Sequence, residues 1–267
     1  MALQQAQDFL DETEALYALL LPLDDAAFET ATLFKSWTIN NILRHLHVWN
    51  IAADLSLTNP DGFSAMLSAL MQGGKGIRFT EAEASYLEGT SGQALLERWI
   101  VHARDTAAHF ADADPKARLK WAGPDMSAMS SISARLMETW AHAQAVYDVL
   151  GAERADTDRI GNIVRLGINT YGWTFKIRGL DAPQPMPYVR LIAPSGEIWE
   201  YGDVSGGESI SGDAAEFCQI VTQTRNIGDT QLVVTGPNAS MWMSIAQCFA
   251  GQANDPPAKG FRRRRLI

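Results

Sequence analysis

The sequence predicts an α+β protein in which an N-terminal four-helix bundle precedes a smaller α+β domain. Up to about residue 151, apolar residues recur at the spacing of helices that bury one face. After Gly151, three prolines between residues 181 and 187 and two short segments rich in β-branched and aromatic residues indicate turns and strands instead. Four long helices with short connections are typical of a bundle.

The first region is predicted to contain four long helices and one short helix. The long helices run from Gln4 to about Leu20, from about Trp37 to Asn59, from about Gly92 to residues 111–115, and from about residue 125 to Leu150. The short helix covers residues 63–71. The residues from Asn59 to Gly62 favour a stop, and Gly151 is a natural C-terminal cap for the last long helix.

The second region is predicted to mix helices with strands. We expect a helix over residues 156–178, strands over 188–193 and 198–201, a helix over 214–223, a strand over 230–235 and a final helix over 240–249. Residues 210–212 are interpreted as leading into the helix over 214–223. The predicted domains are therefore 1–151 and 152–258, followed by a basic tail over 259–267 that we expect to be disordered.

Composition narrows the class of function. The chain has 267 residues, 46% of them hydrophobic, and a net charge of -9. An acidic protein is a poor ligand for nucleic acids or anionic membranes, so neither is expected as a partner, although Arg262 to Arg265 form one basic run. Two lone cysteines, no signal peptide and no long apolar segment predict a cytoplasmic location. The sequence does not indicate an oligomeric state.

One combination of side chains suggests metal binding. Glu138 and His142 are four residues apart on a predicted helix, so both side chains lie on one face within apolar sequence. His45 lies near the middle of another bundle helix and could supply a third ligand. Imidazole and carboxylate suit zinc, iron or nickel, and three protein ligands leave a position open for water or substrate. The alternatives are a surface Glu–His pair and a core histidine whose hydrogen bonds are satisfied.

The segment from Trp37 to Leu46 resembles the W-T-(x6)-H-L signature of the DinB-like metal-dependent family. In that signature the histidine eight residues after the tryptophan is a ligand, which selects His45 and not His47. The segment from Arg135 to His142, followed by residues 148–151, is similar to the second ligand segment of the mycothiol-dependent maleylpyruvate isomerase branch. There a Glu and a His four apart complete the site. Residues 121–127, 217–225, 234–237 and 242–247 also resemble this branch, whose C-terminal domain is similar to sterol-carrier-protein folds.

The resemblance implies a divalent metal, usually zinc, that activates a thiol or a water. It implies a metal-dependent enzyme that acts on a small, carboxylate-bearing molecule, by isomerisation or by transfer with a low-molecular-weight thiol as cosubstrate. In that branch the second domain helps to close the cleft, and Arg225 is the residue expected to hold an acidic substrate; the alternative is a surface arginine. A second hypothesis is a metal-stabilised protein that binds a small molecule or a partner without catalysis.

Overall fold

The computed structural model describes residues 2–71, 79–204 and 207–264. The chain divides into two compact units, Met1–Val149 and Leu150–Ile267. The described part of the first unit is mainly helical, and that of the second combines helices with a four-stranded sheet. This confirms the predicted fold class, while the domain limits of 151 and 258 stay predictions.

The first unit is built on four long helices. Its helices are α1 (Gln4–Leu20), α2 (Ile39–Thr58), α3 (Pro60–Met71), α4 (Phe79–Tyr86), α5 (Gly92–Ala111) and α6 (Ala128–Leu150). Helices α1 and α2 both pack against α5. The largest side chains of the core, among them Phe9, Phe110, Trp99 and Trp140, are fully buried. The four long helices agree with the predicted ones to within a few residues.

The segment from Asn59 to Gly62 ends one helix and immediately begins the next. The prediction of a stop is correct for α2, but α3 starts at Pro60 and not at residue 63. Proline suits the first helical position because its missing N–H has no partner there. The Asn59 side chain accepts a hydrogen bond from the backbone N–H of Gly62 at 3.0 Å, as an N-cap does. Asn59 therefore follows the last residue of α2 and also caps the start of α3.

Two features of the first unit have no counterpart in the sequence-based prediction. Helix α4 has only eight residues, too few for a clear helical repeat of apolar positions. Strands β1 (Arg118–Leu119) and β2 (Met126–Ser127) form a two-residue antiparallel ladder just before α6. Helix α4 packs against α2, and its one buried side chain is that of Glu83.

The second unit contains a mixed sheet flanked by short helices. Its elements are α7 (Gly161–Asn169), α8 (Tyr171–Lys176), β3 (Tyr188–Ile192), β4 (Ile198–Tyr201), β5 (Ser209–Asp213), α9 (Ala214–Val221), β6 (Val233–Thr235) and α10 (Pro237–Ile245). The strand order is β4-β3-β5-β6. Strands β3 and β5 are parallel, whereas β4 and β6 pair antiparallel at the edges. Trp242 and Phe217 are fully buried in the core of this unit.

The prediction for the second region is wrong in three places. The single helix expected over 156–178 is two helices that meet at Thr170, whose hydroxyl bonds back to the Leu166 carbonyl. Residues 210–212, expected only to lead into a helix, belong to the central strand β5 over 209–213. Serine and glycine give this strand little intrinsic propensity, so its pairing on both sides determines its conformation. The last helix begins at Pro237, earlier than expected.

The described part of the basic tail contacts the second unit. The backbone N–H of Gly260 donates to Asp229 at 2.9 Å, and Arg262 Nη1 donates to the Gln223 carbonyl at 2.7 Å. Arg264 lies 3.0 Å from a carboxylate oxygen of Glu153. The disorder of residues 259–267 stays a prediction, and residues 265–267 lie outside the described residues. Among the residues that are described, no helix is long and apolar enough to cross a membrane.

Candidate metal centre

The start of α2 is fixed by the residues of the W-T segment. Thr38 is the N-cap: its hydroxyl accepts from the Asn41 N–H at 3.2 Å, and the Asn41 side chain accepts from the Thr38 N–H at 3.0 Å. This reciprocal pair satisfies two backbone donors that a helix start otherwise leaves without partners. The cap sets where α2 begins and therefore which way His45, two turns later, faces.

Three side chains from two helices converge. His45 on α2 places Nε2 3.6 Å from Oε2 of Glu138 on α6, and His142 Nε2 lies 3.3 Å from the same oxygen. One ligand atom from each of the three residues lies within 4.8 Å of the other two. The structure thus brings together the three residues that the sequence singled out; their binding of a metal stays a prediction.

The donor set and its spacing fit a divalent cation. Charge-assisted N–H···O hydrogen bonds are usually about 2.7–2.9 Å long, shorter than either separation here. Ligand atoms held about 2.0–2.1 Å from one tetrahedral zinc ion lie roughly 3.3 Å from one another. The separations of 3.3 and 3.6 Å therefore match ligands around an ion better than an ordinary hydrogen-bonded triad.

The cluster is partly open to solvent. The side chains of His45, Glu138 and His142 retain 15%, 25% and 11% of their accessible surface. A fully enclosed four-ligand site is typical of a structural metal, whereas three protein ligands with solvent access leave a coordination position for water or substrate. The solvent access of these three side chains is therefore the pattern expected of a catalytic rather than a structural metal site.

Proton affinities in the cluster are shifted by burial and by mutual charge. Burial lowers the pKa of His45, but the nearby Glu138 and Glu83 carboxylates outweigh it, so the pKa lies above the ordinary 6.5. Burial lowers the pKa of His142, and the neighbouring His45 adds to this effect, so the pKa lies below 6.5. Burial raises the pKa of Glu138, but the two histidines outweigh it and hold the pKa well below 4.5. The carboxylate is thus ionised at neutral pH and ready to bind a cation.

Aromatic rings hold the histidines in place. The Trp37 indole stacks on His142 with ring centroids 5.7 Å apart, and Phe34 meets the same imidazole edge-on at 5.0 Å. Between these two aromatic residues, Lys35 and Ser36 have φ of 51° and 57°. Non-glycine residues rarely adopt this left-handed conformation, which costs energy. These two strained residues therefore lie in the loop that places the rings of Phe34 and Trp37 against His142, one of the proposed ligands.

Glu83 is the residue of this site that sequence reasoning missed. It is fully buried, and its Oε1 accepts hydrogen bonds from His45 Nδ1 at 2.8 Å and from Trp49 Nε1 at 3.2 Å. It lies on the unpredicted helix α4, and a glutamate in a polar segment carries no signal of burial. Trp49, whose place in the sequence favours packing within the bundle, is half-buried beside His45.

Arg135, the first residue of the segment that ends at His142, is a buried charge next to the site. Only 2% of its surface is exposed. Its Nε donates to Asn50 Oδ1 at 3.0 Å, and burial lowers its pKa to about 10 against the opposing charges of Glu138 and Glu83. It lies three residues before Glu138 on α6, so about one helical turn separates its guanidinium from the Glu138 carboxylate.

Arg225, the remaining residue that the sequence analysis predicts for the site, belongs to the second unit. It is half-buried and its Nη1 donates to the Thr224 carbonyl at 3.0 Å. Its role in holding a substrate stays a prediction. His47, which the spacing of the signature passes over in favour of His45, is buried on another face of α2 with its ring 5.6 Å from that of His102.

A helical bundle whose α2 histidine faces a Glu–His pair on α6 places the chain in the DinB-like class of proteins. The family is more specific than this class. The profile of the mycothiol maleylpyruvate isomerase N-terminal domain matches residues 9–147, more than half of the chain. The chain belongs to this family.

Relatives and solved structures extend the likeness beyond the bundle. Two curated proteins of Mycobacterium tuberculosis, from strains CDC 1551 / Oshkosh and ATCC 25618 / H37Rv and both named as uncharacterized, are 33% identical over 253 residues. The match covers 95% of this chain and 96% of each relative.

Two crystal structures of the mycothiol-dependent maleylpyruvate isomerase, one of them of a histidine-to-alanine mutant, also match. They give TM-scores of 0.52 and 0.51 at 17% identity over 81% of this chain and 87% of theirs. At that identity the likeness shows a shared fold.

Proposed function

We propose that this protein is a metal-dependent enzyme that acts on a small carboxylate-bearing molecule. The reaction is an isomerisation or a thiol-dependent transfer, with a low-molecular-weight thiol as cosubstrate. The observation that carries the proposal is the convergence of His45, Glu138 and His142 with ligand-like separations and partial solvent access. The name of the structural neighbours, a mycothiol-dependent maleylpyruvate isomerase, supports a thiol and an isomerisation. We further propose zinc as the native metal, with nickel or iron as alternatives, and a cytoplasmic location.

The chemistry of the donor set explains why a thiol suits this site. A divalent cation held there lowers the pKa of a thiol or water that reaches it, which makes the nucleophile available at neutral pH. The residues of the chain have to bind and orient the reactants. The two imidazoles and the Glu138 carboxylate keep part of their surface exposed to solvent, and the thiol and the acid would meet there.

The formal charges near the site support an anionic ligand. Glu83 and Glu138 contribute two negative charges and Arg135 one positive charge, and Arg135 interacts electrostatically with both carboxylates. A divalent cation would bring the sum to +1. Because uncompensated charge is costly where water is largely excluded, one further anion, such as a thiolate or a carboxylate, completes the balance.

Arg225 is proposed to hold the carboxylate of the substrate. The support is the family resemblance of residues 217–225 together with the chemistry of guanidinium, which pairs with a carboxylate through two parallel hydrogen bonds. Arg225→Lys keeps the charge but loses that paired geometry. It should raise KM for the acid substrate and leave metal content unchanged.

The decisive experiment is a turnover screen on the metal-loaded protein. Mycothiol, glutathione and cysteine are each paired with a panel of unsaturated dicarboxylates and keto acids, and product is measured by chromatography. Turnover should require both the thiol and the metal, and should be lost in His142→Ala. Activity that survives complete removal of the metal would contradict the proposal.

The same protein sample tests the alternative of a non-catalytic binding protein. If chelation lowers the melting temperature sharply, and no thiol or acid restores it or is turned over, the metal serves stability alone. Under the proposed function, chelation abolishes turnover, and a thiol shifts the melting temperature of the metal-loaded protein only.

A further inference from the structure

Glu83 is a buried carboxylate that the proposed set of ligands does not include. It is 0% exposed, although a buried charge is costly unless it is paired and hydrogen-bonded. Its Oε1 accepts two hydrogen bonds, while its Oε2 has no hydrogen-bond partner among the described residues. Half-satisfied buried carboxylates do not stabilise a fold relative to an apolar side chain of similar size. The position of Glu83 therefore calls for a reason other than stability.

The contacts of Glu83 identify that reason. Its Oε1 binds Nδ1 of His45, the ring nitrogen that does not face Glu138, at 2.8 Å. The other nitrogen, Nε2, faces the Glu138 carboxylate at 3.6 Å. When the ring is neutral, a carboxylate at Nδ1 keeps the proton there and leaves the lone pair on Nε2, directed at the shared site.

Trp49 fixes the carboxylate itself. Its indole N–H donates to the same Oε1 at 3.2 Å from one turn further along α2, so Glu83 on α4 is held by two residues of one helix. The ring of Trp49 in turn stacks on Phe79 at the start of α4, with centroids 5.9 Å apart. The orientation of His45 is thus set by a short helix that packs on α2.

From this geometry we propose that Glu83 is a positioning residue for the metal centre: it acts through His45 by fixing the tautomer and the direction of the imidazole. The inference rests on the proposed metal site. It assigns to α4 a function within that site and predicts that metal affinity depends on a residue that does not touch the metal. Carboxylate partners of ligand histidines typically change metal affinity by about 10- to 100-fold.

The test is metal affinity in a pair of matched variants. Glu83→Gln preserves shape and removes the charge, and Glu81→Gln makes the same change at an exposed position of the same helix. Zinc affinity is measured by competition with a chromophoric chelator. We expect Glu83→Gln to weaken binding by about 10- to 100-fold and Glu81→Gln to match the wild type.

A second measurement is independent of the metal and of activity. In metal-free protein at a pH where the imidazole is neutral, ¹⁵N shifts of the His45 ring report which nitrogen carries the proton. The wild type should carry it on Nδ1, and Glu83→Gln should shift the population towards the other tautomer. A purely structural Glu83 would change the melting temperature but neither the tautomer nor the zinc affinity.

The outcomes separate this inference from the proposed function. If the wild type binds no zinc, the proposed metal site fails. If the wild type binds zinc and Glu83→Gln binds it equally well with an unchanged tautomer, only the role of Glu83 is overturned. Should Glu83→Gln fail to fold, Trp49→Phe replaces it, because loss of the indole N–H loosens Glu83 and should weaken zinc binding in the same direction.

Discussion

The Trp37 indole lies parallel to the His142 imidazole, with 5.7 Å between ring centroids and 3° between planes. The same indole meets His45 edge-on at 5.3 Å. Trp37 therefore contacts both histidines of the cluster, and the next residue, Thr38, caps α2. This gives a physical reason for the W-T-(x6)-H spacing: the tryptophan packs on both histidines, and the threonine sets the register of the helix that carries His45.

Replacing Trp37 should weaken metal binding more than it weakens the fold. Each aromatic contact is worth about 0.5–1.5 kcal/mol, so loss of both in Trp37→Leu should lower zinc affinity roughly tenfold. Trp173→Leu, a change at a half-buried tryptophan of the second unit, is the control. Competition titration measures both variants, and equal affinities would show that the stacking does not order the ligands.

The capping pair should contribute mainly to stability. Thr38→Ala removes the hydroxyl that accepts from Asn41, and loss of such a cap costs about 1 kcal/mol of unfolding free energy. Thr38→Ser keeps the hydroxyl and should be close to neutral. Urea denaturation of the metal-free protein measures the difference, and a Thr38→Ala variant as stable as Thr38→Ser would contradict the role of the cap.

Replacing Arg135 should change the affinities for cations and for anions in opposite directions. Its guanidinium is buried and interacts with Glu138 and Glu83. Removing this positive charge in Arg135→Gln should tighten zinc binding and weaken the binding of an anionic thiol or acid, each by several-fold. Arg104→Gln is the control, because Arg104 is about half exposed and pairs with Glu14 at the surface. Calorimetric titrations of zinc and then of the acid test the two directions, and a change of both affinities in the same direction would contradict this account.

The buried imidazole of His47 and the half-buried imidazole of His102 should make the bundle sensitive to acid. Burial, followed by the charges of His102 and Arg98, lowers the pKa of His47 to about 3, and burial also lowers the pKa of His102. Because the unfolded chain binds these protons more tightly, the full stability is present above about pH 6.5 and is lost as the pH falls towards 3. One such histidine gives a slope of about 1.4 kcal/mol per pH unit in that range.

Removal of His47 is the measurement for this effect. His47→Gln eliminates one titrating group, so the free energy of unfolding should fall less steeply between pH 6.5 and 4 than in the wild type. Denaturant melts of the metal-free proteins at several pH values give both slopes. Identical slopes would show that His47 is protonated without cost in the folded chain.

The long helices and the three proposed ligands could be predicted from the sequence because both depend on local spacing. Glu138 and His142 share a helix face whatever the rest of the chain does, and the motif around Trp37 selects His45. Glu83 and Arg135 could not be assigned in this way. Their importance arises from contacts between helices, and neither short α4 nor a buried charge leaves a periodic pattern.

The same distinction explains the errors in the second unit. The strand at 188–192 is predictable because four of its five residues are aliphatic or aromatic. Its parallel neighbour at 209–213 contains serine and glycine and is a strand only because it pairs with strands on both sides. Residues 59–62 predict a stop because Asn, Pro and Gly break helices, but Asn59 also caps the next helix. Local signals mark where one element ends, and tertiary contacts decide which kind of element comes next.

The most direct test of the central claim is the metal content of purified protein and its variants, measured by elemental analysis after zinc loading and gel filtration. We expect about one ion per chain in the wild type and in His109→Ala, a change at an exposed histidine of α5. His45→Ala, Glu138→Ala and His142→Ala should each lose most of the bound metal while keeping the helical circular dichroism of the wild type. Full occupancy in any of these three variants would contradict the assignment of that residue as a ligand. Full occupancy in all three would contradict the proposed metal site itself.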